Sequence, residues 1–325
     1  MLRLLNQYAH GYVAIPTLWA CIRGGLFQAL SQEHATPFAR LGTLLGANPG
    51  HLRVAMRLLH SLGWVRRDDS FDGYALTQEG AAYRDVPDGI DALLSFSFDA
   101  YLEGRGSSLA PWFRLSLRRW DTTNTMLAGL LDGLLVVPLF MAMRRATCSA
   151  YDQSSFEEAM TMLPDDRRFE IKKFFRDNAW LVSDSERLLL TDTGYFLWDR
   201  MFSVATVYSY RPMLSRLPEL IFGDCEAVFH HDEHGDETHI DRTLNVEGSG
   251  FQHQKYFSDM EQLILAIFDN EPFDAQPKYI ADMGCGDGSL LKKLHEVIID
   301  KSRRGRVLDR YPLKLIGVDI NLKAL

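Results

Sequence analysis

A glycine-rich turn that follows a short apolar stretch constrains the fold of this chain more than any other feature of its sequence. Tyr279–Met283 predicts a buried strand, Gly284–Gly288 has glycine at every second position, and an amphipathic helix is predicted directly after this loop. A second apolar stretch, Leu315–Val318, ends at Asp319. Strand, glycine loop, helix and strand in this order predict the β-α-β start of a Rossmann-like α/β domain.

The residues around the loop indicate its ligand. Asp282 precedes the first glycine by two positions and gives the pattern D-x-G-x-G-x-G, which is typical of class I S-adenosylmethionine-dependent methyltransferases. Nicotinamide-dinucleotide folds usually have G-x-G-x-x-G instead. Asp319 lies where doubly wound folds bind the ribose hydroxyls. We therefore expect S-adenosylmethionine as the cofactor, and a dinucleotide site or a glycine turn without ligand as the alternatives. The polar stretch 301–310 explains the long spacing between the two acids.

A glycine-rich stretch, Gly248–Tyr256, directly precedes this domain and is predicted to enter a helix. Such an arm could close over the cofactor, with Phe251 stacking and Gln252 or His253 donating hydrogen bonds, whereas helix capping and packing is the alternative. Cys285 has no basic group near it in sequence, and we expect it to pack. The candidate cofactor-binding residues are Asp282, Met283, Gly284, Cys285, Gly286, Gly288, Asp319, Ile320, Phe251 and Gln252.

The N-terminal part contains one pattern twice. Its first copy has a helix that begins at Asn48 and Pro49, a cap followed by proline at the first helical position, and then two short strands and a helix capped by Thr77. Helix, helix, strand, turn and strand in this order predict a winged helix. Three pairs of segments correspond: Gly11–Pro16 with Gly133–Pro138, Trp64–Val65 with Trp180–Leu181, and Leu76–Gly80 with Leu190–Gly194.

The chain has 325 residues, which favours two or three domains. The predicted fold class is a mainly α N-terminal region with two winged-helix-like repeats, followed by the start of a truncated class I Rossmann-like methyltransferase domain. The predicted ranges are 1–95 for the first winged-helix-like unit, 96–130 for a helical connector, 131–210 for the second unit, 211–270 for a linker or lid with a hairpin, and 271–325 for the incomplete cofactor domain.

Charge and hydropathy exclude several partners. The formal net charge is −8, whereas binding to phosphates requires a local excess of Lys and Arg. The winged-helix arginines, Arg53, Arg57, Arg66 and Arg67, are offset by Asp68, Asp69, Asp72 and Glu79. The N-terminus has no signal-peptide pattern, and no run of about 18 apolar residues is evident. We expect a cytoplasmic protein that binds neither nucleic acid nor a membrane.

Cysteines and histidines are not arranged as a metal site. The four cysteines, Cys21, Cys148, Cys225 and Cys285, are scattered, which predicts reduced thiols. Four histidines, His230, His231, His234 and His239, lie among acidic residues, but adjacent histidines on a strand face opposite sides. The segment Ala227–Val246 is therefore predicted as a hairpin with a polar turn at Glu233–Glu237, and metal binding is the weaker alternative.

Longer segments resemble a known family. Arg242–Phe257, Asp282–Gly288 and Tyr311–Asp319 closely resemble the methyltransferase domain that opens the saxitoxin-type polyketide synthase, to which the apratoxin loading module is a more distant relative. The resemblance extends over essentially the whole chain through three further segments, His10–Gly11, Tyr101–Gly104 and Met213–Arg216.

This resemblance implies a metal-dependent C-methyltransferase that methylates malonyl groups carried on an acyl carrier protein. An adjacent acetyltransferase-like domain would decarboxylate the product to a short acyl starter. Iron or manganese would hold the malonyl oxygens in the complete domain and stabilise the enolate. The family's catalytic and metal-binding residues would lie beyond Leu325, so we expect no metal ligand in this chain, which would be an inactive fragment. The alternatives are a small-molecule O-methyltransferase with a winged-helix dimerisation domain, and a non-enzymatic winged-helix interaction module.

Overall fold

A computed structural model of the chain describes residues 1–82, 86–87, 89–145, 153–182 and 188–319. Its contacts separate two compact units, Met1–Asp241 and Arg242–Leu325. The sequence-predicted boundary between residues 270 and 271 falls inside the second unit, because the helix before it packs in that unit's core. Cys148 and Ile320 lie outside the described residues.

The first unit is mostly helical. Its helices are α1 (Leu2–Arg23), α2 (Leu26–Ala29), α3 (Phe38–Leu45), α4 (Pro49–Ser61), α5 (Gln78–Ala81), α6 (Ile90–Leu94), α7 (Phe98–Leu102), α8 (Ala110–Leu117), α9 (Thr125–Arg145), α10 (Gln153–Met162), α11 (Asp165–Asp177), α12 (Asp192–Arg200), α13 (Ala205–Tyr208), α14 (Arg211–Leu214) and α15 (Leu217–Phe222). Short 3-10 helices occupy Arg119–Asp121, Met201–Val204 and Glu226–Val228. Its strands are β1 (Thr36–Pro37), β2 (Val65–Asp68) and β3 (Gly73–Leu76).

Helices α3 and α4 and the three strands form a winged-helix-like arrangement. The sequence predicted α4, β2 and β3, whereas it did not predict α3 or β1. The strands are antiparallel in the order β1-β3-β2. The side chain of Asn48 accepts hydrogen bonds from the backbone N–H groups of Gly50 and His51, and Pro49 occupies the first helical position of α4. Thr77 caps α5 by accepting from the Gly80 N–H. Both predicted helix starts are therefore confirmed.

In the second copy of the pattern, residues 183–187 lie outside the described part of the chain. Helices α10 and α11 are followed by one antiparallel bridge between Leu181 and Leu190 and by α12. Thr191 caps α12 by accepting from the Gly194 N–H, and its hydroxyl donates to the carbonyl of Ala179. Thr77 makes the corresponding pair of bonds in the first copy. The repeat therefore extends to individual hydrogen bonds.

Helix α9 lies in the core of the first unit. By length and composition it could cross a membrane, but an 18-residue window within it is 89% buried inside the protein. The expectation that no such apolar run exists was therefore wrong. Its apolarity matches its central position, because a helix that is apolar all round is buried from every side.

The second unit has a β-α-β order. Its elements are α16 (Arg242–Asn270), β4 (Tyr279–Met283), α17 (Ser289–Lys301), a 3-10 helix at Arg304–Val307 and β5 (Lys314–Val318). The two strands are parallel, with Tyr279 opposite Lys314 and Met283 opposite Val318. Its core joins the two helices through five buried residues, Ile264, Phe268, Leu294, Val297 and Ile298.

Three local predictions for this part of the chain need correction. The hairpin at Ala227–Val246 is reduced to one bridge between His231 and Glu237, because the chain is helical from Arg242 onward. Gly248–Tyr256 lies inside α16 rather than at its entry. Strand β4 is not buried as predicted. The side chains of Tyr279 and Met283 are 61% and 75% exposed, and Ile280 on the other face is partly buried against α16 and α17.

Candidate functional site

The glycine loop lies between β4 and α17 and is anchored to the end of β5. The N–H groups of Gly284 and Cys285 both donate to the carbonyl of Val318, at 2.6 and 3.1 Å. Gly284, Gly286 and Gly288 have φ values of +89°, +55° and +74°, which side-chain-bearing residues rarely adopt. A Cβ on Gly284 or Gly288 would meet no atom within 4 Å. These two positions therefore favour glycine because of their backbone conformation and not because other atoms of the chain crowd them. The space beside them is open.

Asp319 connects the two sequence motifs. Its Oδ2 accepts a hydrogen bond of 2.8 Å from the backbone N–H of Gly286. The acid at the end of the second strand thus lies directly beside the loop that follows the first strand. The order of the two motifs along the chain predicts one shared site, and in the structure Asp319 and Gly286 are in contact.

Cys285 packs beneath the loop. It is 9% exposed, and a Cβ on Gly317 of β5 would lie 2.9 Å from its Sγ. The side chain therefore fills the narrow space between the loop and β5, as expected for a small polarisable group. This position leaves Cys285 without the surroundings of an activated nucleophile.

The glycine loop and the ends of β4 and β5 form one side of a cleft of about 400 Å³ within the second unit. Five of the sequence-predicted residues line it: Asp282, Gly284, Cys285, Gly286 and Asp319. Met283, Gly288, Phe251 and Gln252 are not among its lining residues. Gln252 is exposed on α16, and Ile320 lies outside the described residues.

The other side of the cleft is the N-terminal half of α16. The sequence predicted that the stretch Gly248–Tyr256 could close over the cofactor, but it did not predict the earlier turn of this helix or the residues of α16 that line the cleft. Its lining residues are Arg242, Asn245, Val246, Ser249, Gly250 and Phe257. The helix approaches the loop closely, since a Cβ on Gly286 would lie 3.2 Å from Cγ1 of Val246. Spacings of three, four and seven residues place this set on one helical face. That periodicity was the available signal, but Gly248 and Gly250 suggested a loop.

Charges differ between the two sides. The strand-loop side contributes three acids, Asp282, Asp287 and Asp319, whereas Arg242 is the only Lys or Arg among the described residues that line the cleft. Asp287 also accepts a hydrogen bond from the N–H of Ser289 at the start of α17. The cleft therefore offers carboxylates to a cation and a guanidinium to an anion.

Two of the four winged-helix arginines, Arg53 and Arg67, form ion pairs with nearby acids. Arg53 donates two hydrogen bonds of 2.7 Å to the carboxylate of Asp72, and its guanidinium lies 3.5 Å from the centre of the Phe38 ring. Arg67 contacts Asp69 and Asp72 at 3.1 and 3.3 Å. A phosphate group would have to compete with these acids for Arg53 and Arg67. The absence of a nucleic-acid partner stays a prediction.

The histidine-rich segment shows no metal-site geometry. Nδ1 of His230 lies 2.8 Å from the carbonyl of Ala227, and Nε2 of His239 lies 3.8 Å from Glu237. Within the described ranges, no three His, Cys, Asp or Glu side chains are placed to hold a metal ion together.

Comparison with known families divides the chain in a similar way. Residues 237–325 match the family described as the AprA MT2-like domain, a methyltransferase family. The second unit is thus a methyltransferase-like domain. Residues 132–224 match the AprA winged helix domain, and residues 1–67 match the AprA N-terminal domain. Together the three ranges cover about three quarters of the chain, and each is similar to a domain described from AprA. No curated protein sequence matches the chain.

Proposed function

We propose that the second unit binds S-adenosylmethionine and that the chain is part of a polyketide-synthase loading methyltransferase. The observation that carries the proposal is the bond between Asp319 and Gly286, which unites a strand-end acid and a D-x-G-x-G-x-G loop at one cleft. The domain that contains this cleft is the one that matches a methyltransferase family. A Rossmann-like cofactor domain, of which the parallel β-α-β unit is the start, is part of the proposal.

The cleft fits such a cofactor in size and chemistry. Its volume of about 400 Å³ lies in the range of small-molecule sites, about 300–1,000 Å³. Open space above Gly284 lets a ligand lie directly on the backbone. Three nearby carboxylates favour a ligand with positively charged groups, and S-adenosylmethionine has both a sulfonium and an ammonium.

The chain's own residues would bind and orient this cofactor. Asp319 would accept hydrogen bonds from the ribose hydroxyls while holding Gly286 in place. Asp282 would face the positively charged end of the ligand, and the loop backbone would support the nucleoside. When bound, S-adenosylmethionine supplies a methyl group on a positively charged sulfur, which a carbon nucleophile can attack.

The finer assignments rest on the resemblance to the saxitoxin-type synthase. They are a malonyl group on an acyl carrier protein as substrate, an adjacent acetyltransferase-like decarboxylase as partner, and iron or manganese as the metal. The AprA-type domain order supports the association with a polyketide synthase. Metal dependence and the cytoplasmic location stay predictions.

Calorimetric titration of the full chain with S-adenosylhomocysteine, the stable demethylated cofactor, tests the proposal. Asp319→Asn should weaken binding about tenfold or more, because a charged acceptor of hydrogen bonds is replaced by a neutral one. Asp309→Asn, at an exposed position in the same unit, serves as the control and should leave the dissociation constant unchanged. A folded wild-type chain that binds no S-adenosylhomocysteine at millimolar concentration would contradict the proposal.

A further inference from the structure

Another cavity lies in the first unit, beside the N-terminal halves of α1 and α9. Its volume of about 680 Å³ lies in the range of small-molecule sites, about 300–1,000 Å³. Every residue of α1 that lines it precedes Gly11, and every lining residue of α9 precedes Gly133. The two helices approach each other closely at these glycines. The cavity therefore occupies the space on the N-terminal side of this approach, and Leu62 at the end of α4 completes its lining.

A polar row on α1 lines the cavity. It consists of Arg3, Asn6, Gln7 and His10, at spacings of three, one and three residues, which place them on one helical face. Gln7 also lies against α9, because a Cβ on Gly129 would collide with its amide nitrogen. Over the described part of the chain, none of these four side chains takes part in a hydrogen bond or an ion pair with another residue. Their donor groups are therefore available to a ligand.

The charge of this lining differs from that of its surroundings. Residues 1–241 contain 31 Asp and Glu against 23 Lys and Arg. Among the described residues that line the cavity, however, there is no acid, and Arg3 is the one permanent cation. A negatively charged ligand is therefore attracted to this place, whereas the average surface of the unit repels it.

The rest of the lining is mainly apolar. Leu62 belongs to the end of α4, and Met126 and Leu130 belong to α9. Two apolar lining residues are open to solvent, since Leu2 is 62% exposed and Met126 is 40% exposed. A hydrocarbon chain on a ligand would remove these side chains from water, which is favourable.

We infer that this cavity binds an aliphatic carboxylate. The polar row binds the carboxylate, with Arg3 as its cation, and the apolar side chains contact the hydrocarbon. One guanidinium balances the single negative charge of a carboxylate, whereas the second charge of a phosphate would meet no second permanent cation. Because the cavity lies in the first unit, this inference does not depend on cofactor binding by the second unit.

Three small probes separate the two parts of such a ligand. Octanoate has the carboxylate and the chain, 1-octanol has the chain alone, and acetate has the carboxylate alone. The full chain is titrated with each probe by calorimetry at low ionic strength, so that the charge interaction is not screened. Octanoate should bind about tenfold or more tightly than either of the other two, because only octanoate matches both parts of the cavity.

Variants at exposed positions test the polar row. Arg3→Gln removes the cation and should weaken octanoate binding about tenfold while leaving 1-octanol binding unchanged. Asn6→Asp has nearly the same size but adds a negative charge, and it should weaken octanoate binding about fivefold. Arg57→Gln is the matched control, since it removes an exposed arginine of α4 that does not line the cavity. It should change neither affinity.

A further variant tests the apolar part of the lining. Met126→Asn, at an exposed position, should weaken the binding of octanoate and of 1-octanol alike. Equal binding of octanoate and 1-octanol by the wild-type chain would overturn the inference, as would a wild-type chain that binds no octanoate. So would octanoate binding that Arg3→Gln and Asn6→Asp weaken no more than Arg57→Gln does, since the polar row would then not contact the ligand.

Discussion

Gly11 and Gly133 lie at equivalent positions of α1 and α9, and each packs against the backbone of the other helix. A Cβ on Gly11 would lie 2.0 Å from the carbonyl oxygen of Leu130, and a Cβ on Gly133 would lie 2.3 Å from that of Tyr8. Tyr8 lies three residues before Gly11 in α1, and Leu130 lies three residues before Gly133 in α9. The two contacts are therefore related by the repeat. The two copies of the repeat therefore pack on each other through a reciprocal close approach.

Replacing either glycine by alanine should destabilise the first unit. Alanine favours an isolated helix by about 1 kcal/mol, but the added methyl group must separate α1 and α9, at a cost of typically 1–3 kcal/mol or more. We expect Gly11→Ala and Gly133→Ala each to lower the free energy of unfolding by about 1–3 kcal/mol. All six tryptophans lie in the first unit, so their fluorescence during urea unfolding measures this quantity.

Gly42→Ala in α3 is the matched control. A Cβ there would meet nothing within 4 Å, so the same substitution should be neutral or stabilise by up to about 1 kcal/mol. Destabilisation by all three variants alike would show that close packing is not the cause.

Ala179 is the counterpart of Gly63 in the second copy of the repeat. Both precede a buried tryptophan and have positive φ, +55° for Ala179 and +77° for Gly63. This conformation costs a residue with a Cβ roughly 1–2 kcal/mol, whereas glycine adopts it freely. After subtracting the greater freedom of glycine in the unfolded chain, Ala179→Gly should stabilise the first unit by about 0.5–1 kcal/mol.

Urea unfolding followed by tryptophan fluorescence checks this prediction. Gly63→Ala is the reverse substitution and should destabilise the same unit by about 0.5–1 kcal/mol. A loss of stability in Ala179→Gly would mean that the methyl group of Ala179 contributes packing that outweighs the strain.

Asp132 is a buried acid in α9, and its carboxylate accepts hydrogen bonds from Ser116 and from Nε1 of Trp120, at 2.6 and 2.7 Å. Burial raises the pKa of Asp132 above its ordinary value of 3.8, although the two hydrogen bonds and Arg119 act in the opposite direction. A carboxyl with a higher pKa in the folded state stabilises the fold at low pH. This contribution is lost as the pH rises from the unfolded pKa through the folded one.

Asp132→Asn removes this titration and retains an oxygen acceptor for both donors. The variant should therefore gain stability relative to the wild-type chain as the pH rises above about 4. Free energies of unfolding at several pH values give the difference, with Glu158→Gln at an exposed position as the control. A difference that does not change with pH would contradict a raised pKa at Asp132.

Gly250 keeps the cleft open on the side of α16. Alanine at this position meets no atom and should stabilise the helix by up to about 1 kcal/mol while leaving ligand affinity nearly unchanged. A leucine side chain would project into the cleft, so Gly250→Leu should lower affinity for S-adenosylhomocysteine about tenfold or more by taking up ligand space. Calorimetric titration measures both. Undiminished binding by Gly250→Leu would place the ligand away from this wall.

Local sequence patterns determined much of what the structure contains. Asn48 with Pro49 starts α4, Thr77 and Thr191 cap equivalent helices, and the glycine loop lies with Asp319 at one site, as the sequence predicts. Each of these features depends on hydrogen bonds or backbone angles within a few residues, or on a known order of strand, loop and helix. Such short-range requirements can be predicted from a sequence.

The side of the cleft that α16 forms depends on tertiary structure. Gly248 and Gly250 lower helix propensity, and the sequence therefore predicted a loop entry there, yet α16 is helical from Arg242 onward. Its later residues, Ile264 and Phe268, pack against α17, and packing of this kind outweighs weak local preferences. Only the completed helix brings Arg242, Asn245 and Ser249 onto one face.

The sequence by itself determined the repeat, the helix caps, the glycine loop and the acid at the strand end, because these depend on local conformation and hydrogen bonding. Only the tertiary structure decided that Gly11 and Gly133 pack reciprocally, that Arg53 is held by Asp72 and that α16 supplies the basic side of the cleft. These relationships join residues through packing and charge at long range, and no spacing along the chain specifies them.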